Sequence, residues 1–141
     1  MSSPRAIVVD PKLTCYSALM SLEKAEESLK AAQRCLEEGW YNSAVSRSYY
    51  AMFQAARAAL ASASIVRPWW RHGSLQATFS TELVRRRKLY PLSCVHDLTD
   101  ALELRHAADY SDVQIPPRRA TRLVGAAMQF VNRVKEVIGN A

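Results

Sequence analysis

From Pro11 to Gly39, apolar residues recur at Cys15, Ala18, Leu22, Ala25, Leu29, Ala32 and Leu36. This three-to-four spacing is the repeat of one face of an α-helix. Asp10 and Pro11 supply an N-cap and a first-turn proline, and Gly39 supplies the stop. Glu23, Lys24, Glu27, Lys30 and Arg34 occupy the other side and read as a solvated surface. Asn42 is a good N-cap for a second helix running to about Ala63, with Val45, Tyr49, Met52, Ala56, Leu60 and Ala63 as its apolar stripe. The two predicted helices form an antiparallel hairpin. Ala51, Ala55, Ala58, Ala59 and Ala61 let neighbouring helices approach the second closely.

Periodicity breaks over Arg67-Pro68-Trp69-Trp70-Arg71-His72-Gly73, a predicted loop. Ser74 can cap a short helix through about Leu83. Leu92, Val95, Leu98 and Leu102, with Ala101, Leu104 and Ala108 alongside, predict a fourth helix stopping near Asp109. Tyr110 to Ile115 is irregular. Pro116-Pro117 opens a last helix whose core face is Ala120, Leu123, Ala127, Val131, Val134 and Ile138. Neither strand alternation nor an internal repeat is present. The expected fold is all-α, an antiparallel up-and-down bundle of four long helices plus a short one, with residues 1–10 a tail and 11–141 a single helical domain.

Composition narrows the chemistry. The 141 residues are 49% hydrophobic and 23% charged, outside the range of disordered chains. Cys15, Cys35 and Cys94 lie far apart, with neither CxxC spacing nor histidines at zinc-ligand intervals, so no disulfide, metal or cofactor is expected. No apolar run approaches the ~20 residues that span a bilayer, and none resembles a signal-peptide core. A cytoplasmic protein without a membrane partner is expected. A net charge of +6 favours polyanionic partners: RNA, nucleotides or an acidic protein. Most of the 19 basic residues are arginine, a bias that suits bidentate phosphate contacts or reflects genome composition.

Two places carry candidate chemistry. Arg47, Tyr50, Gln54 and Arg57 form a polar stripe on the second helix, readable by a cleft or a partner, or simply self-satisfied on a wet surface. On the fourth helix, Arg105 and Asp109 are an i,i+4 pair in the weaker order, with Asp109 where the carboxyl-end dipole disfavours an anion. Such a local violation marks a functional site or a tertiary ion pair. Arg105 and Tyr110 would point about 140° apart on a continuous helix, so they converge only if the helix ends between them.

The segment Tyr41-Asn42-Ser43-Ala44-Val45-Ser46-Arg47-Ser48-Tyr49-Tyr50-Ala51-Met52-Phe53, then His72-Gly73-Ser74, then Leu104-Arg105-His106-Ala107-Ala108-Asp109-Tyr110, resembles the small stand-alone HEPN-domain proteins over about residues 15 to 138. The resemblance implies a homodimer and a minimal nucleotidyltransferase encoded alongside. It also implies a toxin-antitoxin-type module in which the HEPN chain is a metal-independent ribonuclease, neutralised in some pairs by AMP attached to a tyrosine. It places RNA or nucleotide at a dimer cleft, with Arg105 and Tyr110 catalytic and Asp109, Arg47, Tyr50, Gln54 and His72 binding substrate. The sequence departs from the family's Arg, four to six residues, His signature: Tyr110 stands where the histidine is expected after Arg105, and Gln54 where relatives often carry histidine. Arg67 to His72 matches that spacing elsewhere, in a predicted loop where a chance match is expected. The departure keeps a second reading open, a non-catalytic module that positions substrate for a nucleotidyltransferase.

Arg85-Arg86-Arg87-Lys88 could track a nucleic-acid backbone, although a short basic run after a helix is more often a solvated end. Trp69-Trp70 could stack on bases, but packing over the bundle end is the commoner use of such a pair.

Overall fold

The computed structural model describes residues 11–112 and 114–139; the expected tail, with the Asp10 cap, lies outside them. Five α-helices follow in order: α1 (Pro11–Glu37), α2 (Tyr41–Ser62), α3 (His72–Thr78), α4 (Leu92–Tyr110) and α5 (Pro117–Gly139). A π-helical segment, Phe79–Arg86, continues α3 directly. The described residues contain no β-strand, so the fold is the expected all-α bundle of four long helices and a short one.

The α1–α2 turn follows from one glycine. Gly39 takes φ +78°, and its amide donates to the Leu36 carbonyl while Trp40 donates to that of Cys35. This is a Schellman termination, which needs the left-handed conformation at that residue. Asn42 does not cap α2, since Trp40 holds the N-cap position. The Asn42 Oδ1 instead accepts the Ile115 amide at 3.2 Å, tying the α4–α5 connection to the start of α2.

Helix α2 is the axis of the molecule, packed against α1, α4 and α5, with thirteen of its 22 residues buried. Its alanines are responsible. Ala25 and Ala32 of α1, Ala44 of α2 and Ala127 of α5 are all fully buried, so these helices meet at alanine-to-alanine distance. The same economy shifts the register expected for α1. Thr14, Ala18, Ser21, Ala25 and Ala32 are its buried residues, whereas Cys15 is exposed and Leu22, Leu29 and Leu36 are only half-buried. Small side chains take the line of closest approach, and the leucines flank it.

In α4 the buried line is Cys94, Leu98, Ala101 and Leu104, while Leu92 is exposed and Val95 and Leu102 are half-buried. The apolar spacing predicted the helix but not its rotation. The predicted loop ends sooner than expected, because His72 and Gly73 already belong to α3 and Arg71 is its N-cap. Ser74 is not the cap. Its hydroxyl accepts the Arg71 amide at 3.3 Å and donates to the Arg71 carbonyl at 3.2 Å. Trp70 packs on the core, under the Arg67 guanidinium at 4.4 Å, and Trp69 remains exposed beside Arg71. Helix α5 keeps its expected face, with Ala120, Leu123, Ala127, Val131 and Val134 buried and Ile138 half-buried.

Overpacking the seam at Ala25, for example with Ala25→Leu, should lower stability by about 1–3 kcal/mol and depress the thermal midpoint. A melting curve unchanged from the parent would contradict the close α1–α2 contact.

Candidate functional site

Helix α2 presents Ser46, Tyr49, Tyr50 and Phe53 at i, i+3, i+4 and i+7, one face by helical geometry. That face meets the first residue of α3, His72, and the last turns of α4, which carry Arg105 and Asp109. Three segments far apart in sequence therefore converge.

Arg105 is the centre of the cluster, its side chain only 16% exposed. One terminal nitrogen donates to the Tyr50 hydroxyl at 3.0 Å, and the other lies 3.5 Å from His72 Nε2. Its Nε is 3.4 Å from Asp109 Oδ2, within ion-pair range though not aligned as a hydrogen bond. The guanidinium carbon also stands 4.9 Å from the Tyr50 ring centre and 5.5 Å from that of Tyr49, where the negative ring faces add to its stabilisation. Asp109 receives a second contact, donated by Ser46 Oγ at 3.1 Å. The anion at the wrong end of the helix dipole is thus held by Arg105 and Ser46 together.

His72 joins the cluster from the opposite side. Its Nδ1 makes a hydrogen bond with the Tyr49 hydroxyl, and its ring packs at 5.3 Å from Phe53 and 5.2 Å from Tyr49. Arginine can only donate, so the ring nitrogen facing Arg105 must be the acceptor. A neutral His72 then carries its proton on Nδ1, which donates to the Tyr49 oxygen, and keeps the basic Nε2 lone pair on the Arg105 side. Burial, then Arg105, then His106 depress the His72 pKa below the ordinary histidine value, so the ring stays neutral at pH 7. Tyr49 is pushed well above the usual phenol range, chiefly by burial, and remains a neutral partner.

Tyr50 links this corner to a neighbouring cleft. Lys24, Glu27 and Ser28 of α1 and Arg47, Tyr50 and Gln54 of α2 line a space of about 290 Å³. The Arg47 guanidinium lies 5.2 Å from the Tyr50 ring, so two cations approach a single phenol. Gln54 Oε1 is buried without a hydrogen-bond partner. Lys24 and Glu27 line this cleft and are not merely part of the solvated face expected for α1.

Of the residues singled out in the sequence, Arg105, Asp109, Tyr50 and His72 meet directly. Arg47 and Gln54 line the adjoining cleft. Tyr110 does not join them, because α4 continues through it; the side chain is 81% exposed and its ring lies 6.1 Å from His106. The helix end expected between Arg105 and Tyr110 falls one residue too late for convergence. Arg67 stacks on Trp70, and the arginine that approaches His72 is Arg105. Tyr49, Phe53, Ser46 and Gln76, whose amide opposes the upward shift of Tyr49, escaped the sequence reading. The Tyr49-Tyr50 doublet was the available signal, since residues three and four positions after Ser46 fall on the same helix face, and both rings lie near Arg105. Among the described residues, no three His, Cys, Asp or Glu side chains gather to hold a metal ion, and no helix is long and apolar enough to cross a membrane.

An all-helical bundle whose second helix carries Tyr-Tyr against an arginine at the end of the penultimate helix defines a HEPN-type domain. The HEPN domain profile matches residues 18–137, and the chain belongs to that family. It is similar to a UPF0332 protein of Gloeobacter violaceus, 32% identical over 119 residues that cover 78% of this chain and 92% of the relative. It is also similar to two Methanocaldococcus jannaschii proteins that carry the name "putative toxin", each 29% identical. Alignment with these covers 83% of this chain, and 78% and 85% of the respective relatives.

The depressed His72 pKa has a definite sign for stability. The folded state binds its proton less readily than the unfolded chain, so this contribution is fully present above the unfolded value, ordinarily 6.5, and is lost as pH falls through the lower folded value. An NMR titration should place the His72 midpoint below the ordinary histidine value of 6.5. Arg105→Gln should move it upward by removing a neighbouring positive charge. A midpoint unmoved by Arg105→Gln would contradict the contact.

Proposed function

We propose that this chain is the toxin component of a toxin-antitoxin-type module and cleaves RNA at the Arg105 corner by acid-base chemistry, without a metal. The observation that carries this reading is the pairing of a mostly buried guanidinium with a neutral imidazole whose lone pair faces the same side. The first groups a phosphate, and the second accepts the proton of a nucleophile. His72 thereby takes the role that the family assigns to the histidine missing after Arg105.

As the Arg105 terminal nitrogen that faces His72 turns to the phosphate, it frees the His72 Nε2 lone pair, which removes the proton of a ribose 2′-hydroxyl, whose oxygen attacks the adjacent phosphorus. The P–O5′ bond breaks and the departing oxygen takes a proton from the Tyr50 hydroxyl, whose oxygen already accepts from Arg105. The products are a 2′,3′-cyclic phosphate and a free 5′-hydroxyl. Tyr49 holds the imidazole ring in register through Nδ1, and Asp109 with Ser46 holds Arg105. The names of the archaeal relatives support the toxin role. The proposal includes the homodimer, whose facing corners share an RNA-binding cleft, and a minimal nucleotidyltransferase as partner. Tyr110 is accessible enough for such a partner to modify.

The test is cleavage of single-stranded RNA in EDTA. His72→Ala and Arg105→Ala should each reduce the rate by about 10²–10⁴-fold, and Tyr50→Phe should slow it with RNA binding retained. The product ends should be cyclic phosphate and 5′-hydroxyl. RNA bound but left intact by the parent protein under every condition would remove the ribonuclease reading and favour the substrate-positioning module.

A further inference from the structure

A second basic feature lies at the other end of α4. Leu92, at its start, and Arg105 are thirteen residues apart, about 20 Å along a helix rising 1.5 Å per residue. Beside Leu92 the chain forms an open groove of about 790 Å³, lined among others by Arg85, Lys88, Leu89, Tyr90 and Leu92, and by Arg133 from α5. It has three cations in its walls and no carboxylate.

The structure sorts the basic run that the sequence presents as four equivalent charges. Arg86 pairs with Glu82 at 3.4 Å, and Arg87 donates to the Ala63 carbonyl at 3.0 Å at the end of α2. Both are committed. Arg85 and Lys88 make no ion pair with any described carboxylate, and they face the groove with Arg133, which is nearly fifty positions away in sequence. The groove is rigid where it matters. Lys88 is held in the left-handed region at φ +53°, and the amides of Leu89 and Tyr90 both donate to the Leu83 carbonyl, at 2.8 and 3.4 Å. Tyr90 is buried against Phe79 at 5.2 Å. Leu89 and Leu92 remain largely exposed, at 45% and 52%, as apolar edges beside the charges.

We infer that this groove is a second binding site, for the phosphodiester backbone of a single-stranded RNA, distinct from the Arg105 corner. Three cations, two from the π-helical segment and the bend that follows it and one from α5, set along an open groove, suit a flexible strand with successive phosphates. The two leucines suit the sugar and base faces between those phosphates. A lipid surface would instead call for a broad apolar face, and here two exposed leucines stand beside three cations. The inference goes beyond the cleavage reading, because backbone binding here requires no reaction at His72.

The experiment is fluorescence anisotropy with a labelled single-stranded RNA oligonucleotide, titrated at several salt concentrations. The R85Q/K88Q/R133Q protein should bind at least tenfold more weakly at low salt than the parent. Its slope of log affinity against log salt should be shallower by about 2, the value for three lost single-strand phosphate contacts at ~0.7 each. R105A, measured in parallel, should retain that groove-dependent part of the slope, which separates failure of this site from failure of the Arg105 corner. If the triple variant loses its fold by circular dichroism, the single R85Q and K88Q proteins should each take about 0.7 from the slope. Affinity and slope indistinguishable from the parent overturn the site. So does charge-dependent binding to phosphatidylserine vesicles or a polyglutamate peptide with RNA binding unaffected, which would assign the groove to lipid or to acidic protein.

Discussion

Helix α2 is enclosed by its neighbours along most of its length, and on the face that carries Ser46, Tyr49 and Tyr50 those neighbours supply partners for its hydroxyls. Its alanines permit the enclosure, letting α1 and α5 approach so closely that little solvent remains along the shared seam. Of the three hydroxyls, that of the buried Tyr49 has the most to lose without a partner, while Ser46 and Tyr50 are half-buried. His72, Arg105 and Asp109 are the partners. The polar corner is thus a consequence of how tightly the central helix is wrapped as well as of the residues themselves.

Arg105 shows the same logic in the other direction. A guanidinium withdrawn from water needs several partners at once, and it has a phenol, a carboxylate, an imidazole and two aromatic faces. These contacts constrain each other. Asp109 is tolerated at the negative end of α4 because Arg105 is beside it, and His72 stays neutral partly because Arg105 is positive. A cation, an imidazole and two phenols thus share one small volume.

Much of this was legible in the amino-acid order. Helices α1, α2 and α5 could be read because their apolar residues repeat over many turns and their ends carry glycine and proline. The rotation of α1 and α4 could not, because periodicity locates an apolar stripe only to within about one residue's turn of the helix. There the packing chose small side chains such as Ala25 and Ala101 over longer neighbours. Asn42 looked like a cap because its side chain suits capping, but the same oxygen serves a tertiary bond to Ile115 equally well. The candidate site was half visible: the resemblance gathered Arg105, Asp109, Tyr50 and His72 at one cleft with Tyr110, but the direct approach of His72 to Arg105 was not read from the spacing. Linear spacing joined His72 to Arg67 and Arg105 to Tyr110, whereas folding joins His72 to Arg105. Only the path of the chain through α3 makes that exchange.

The bond from Arg87 to the Ala63 carbonyl has a wider meaning than its single distance. It fastens the last turn of the central helix to the start of the basic bend, two regions that are otherwise separated by the whole of α3 and its π-helical continuation. Releasing the C-cap carbonyl of α2 to water therefore also costs the Arg87 guanidinium one of its contacts, so the end of the central helix and the shape of the bend share a bond.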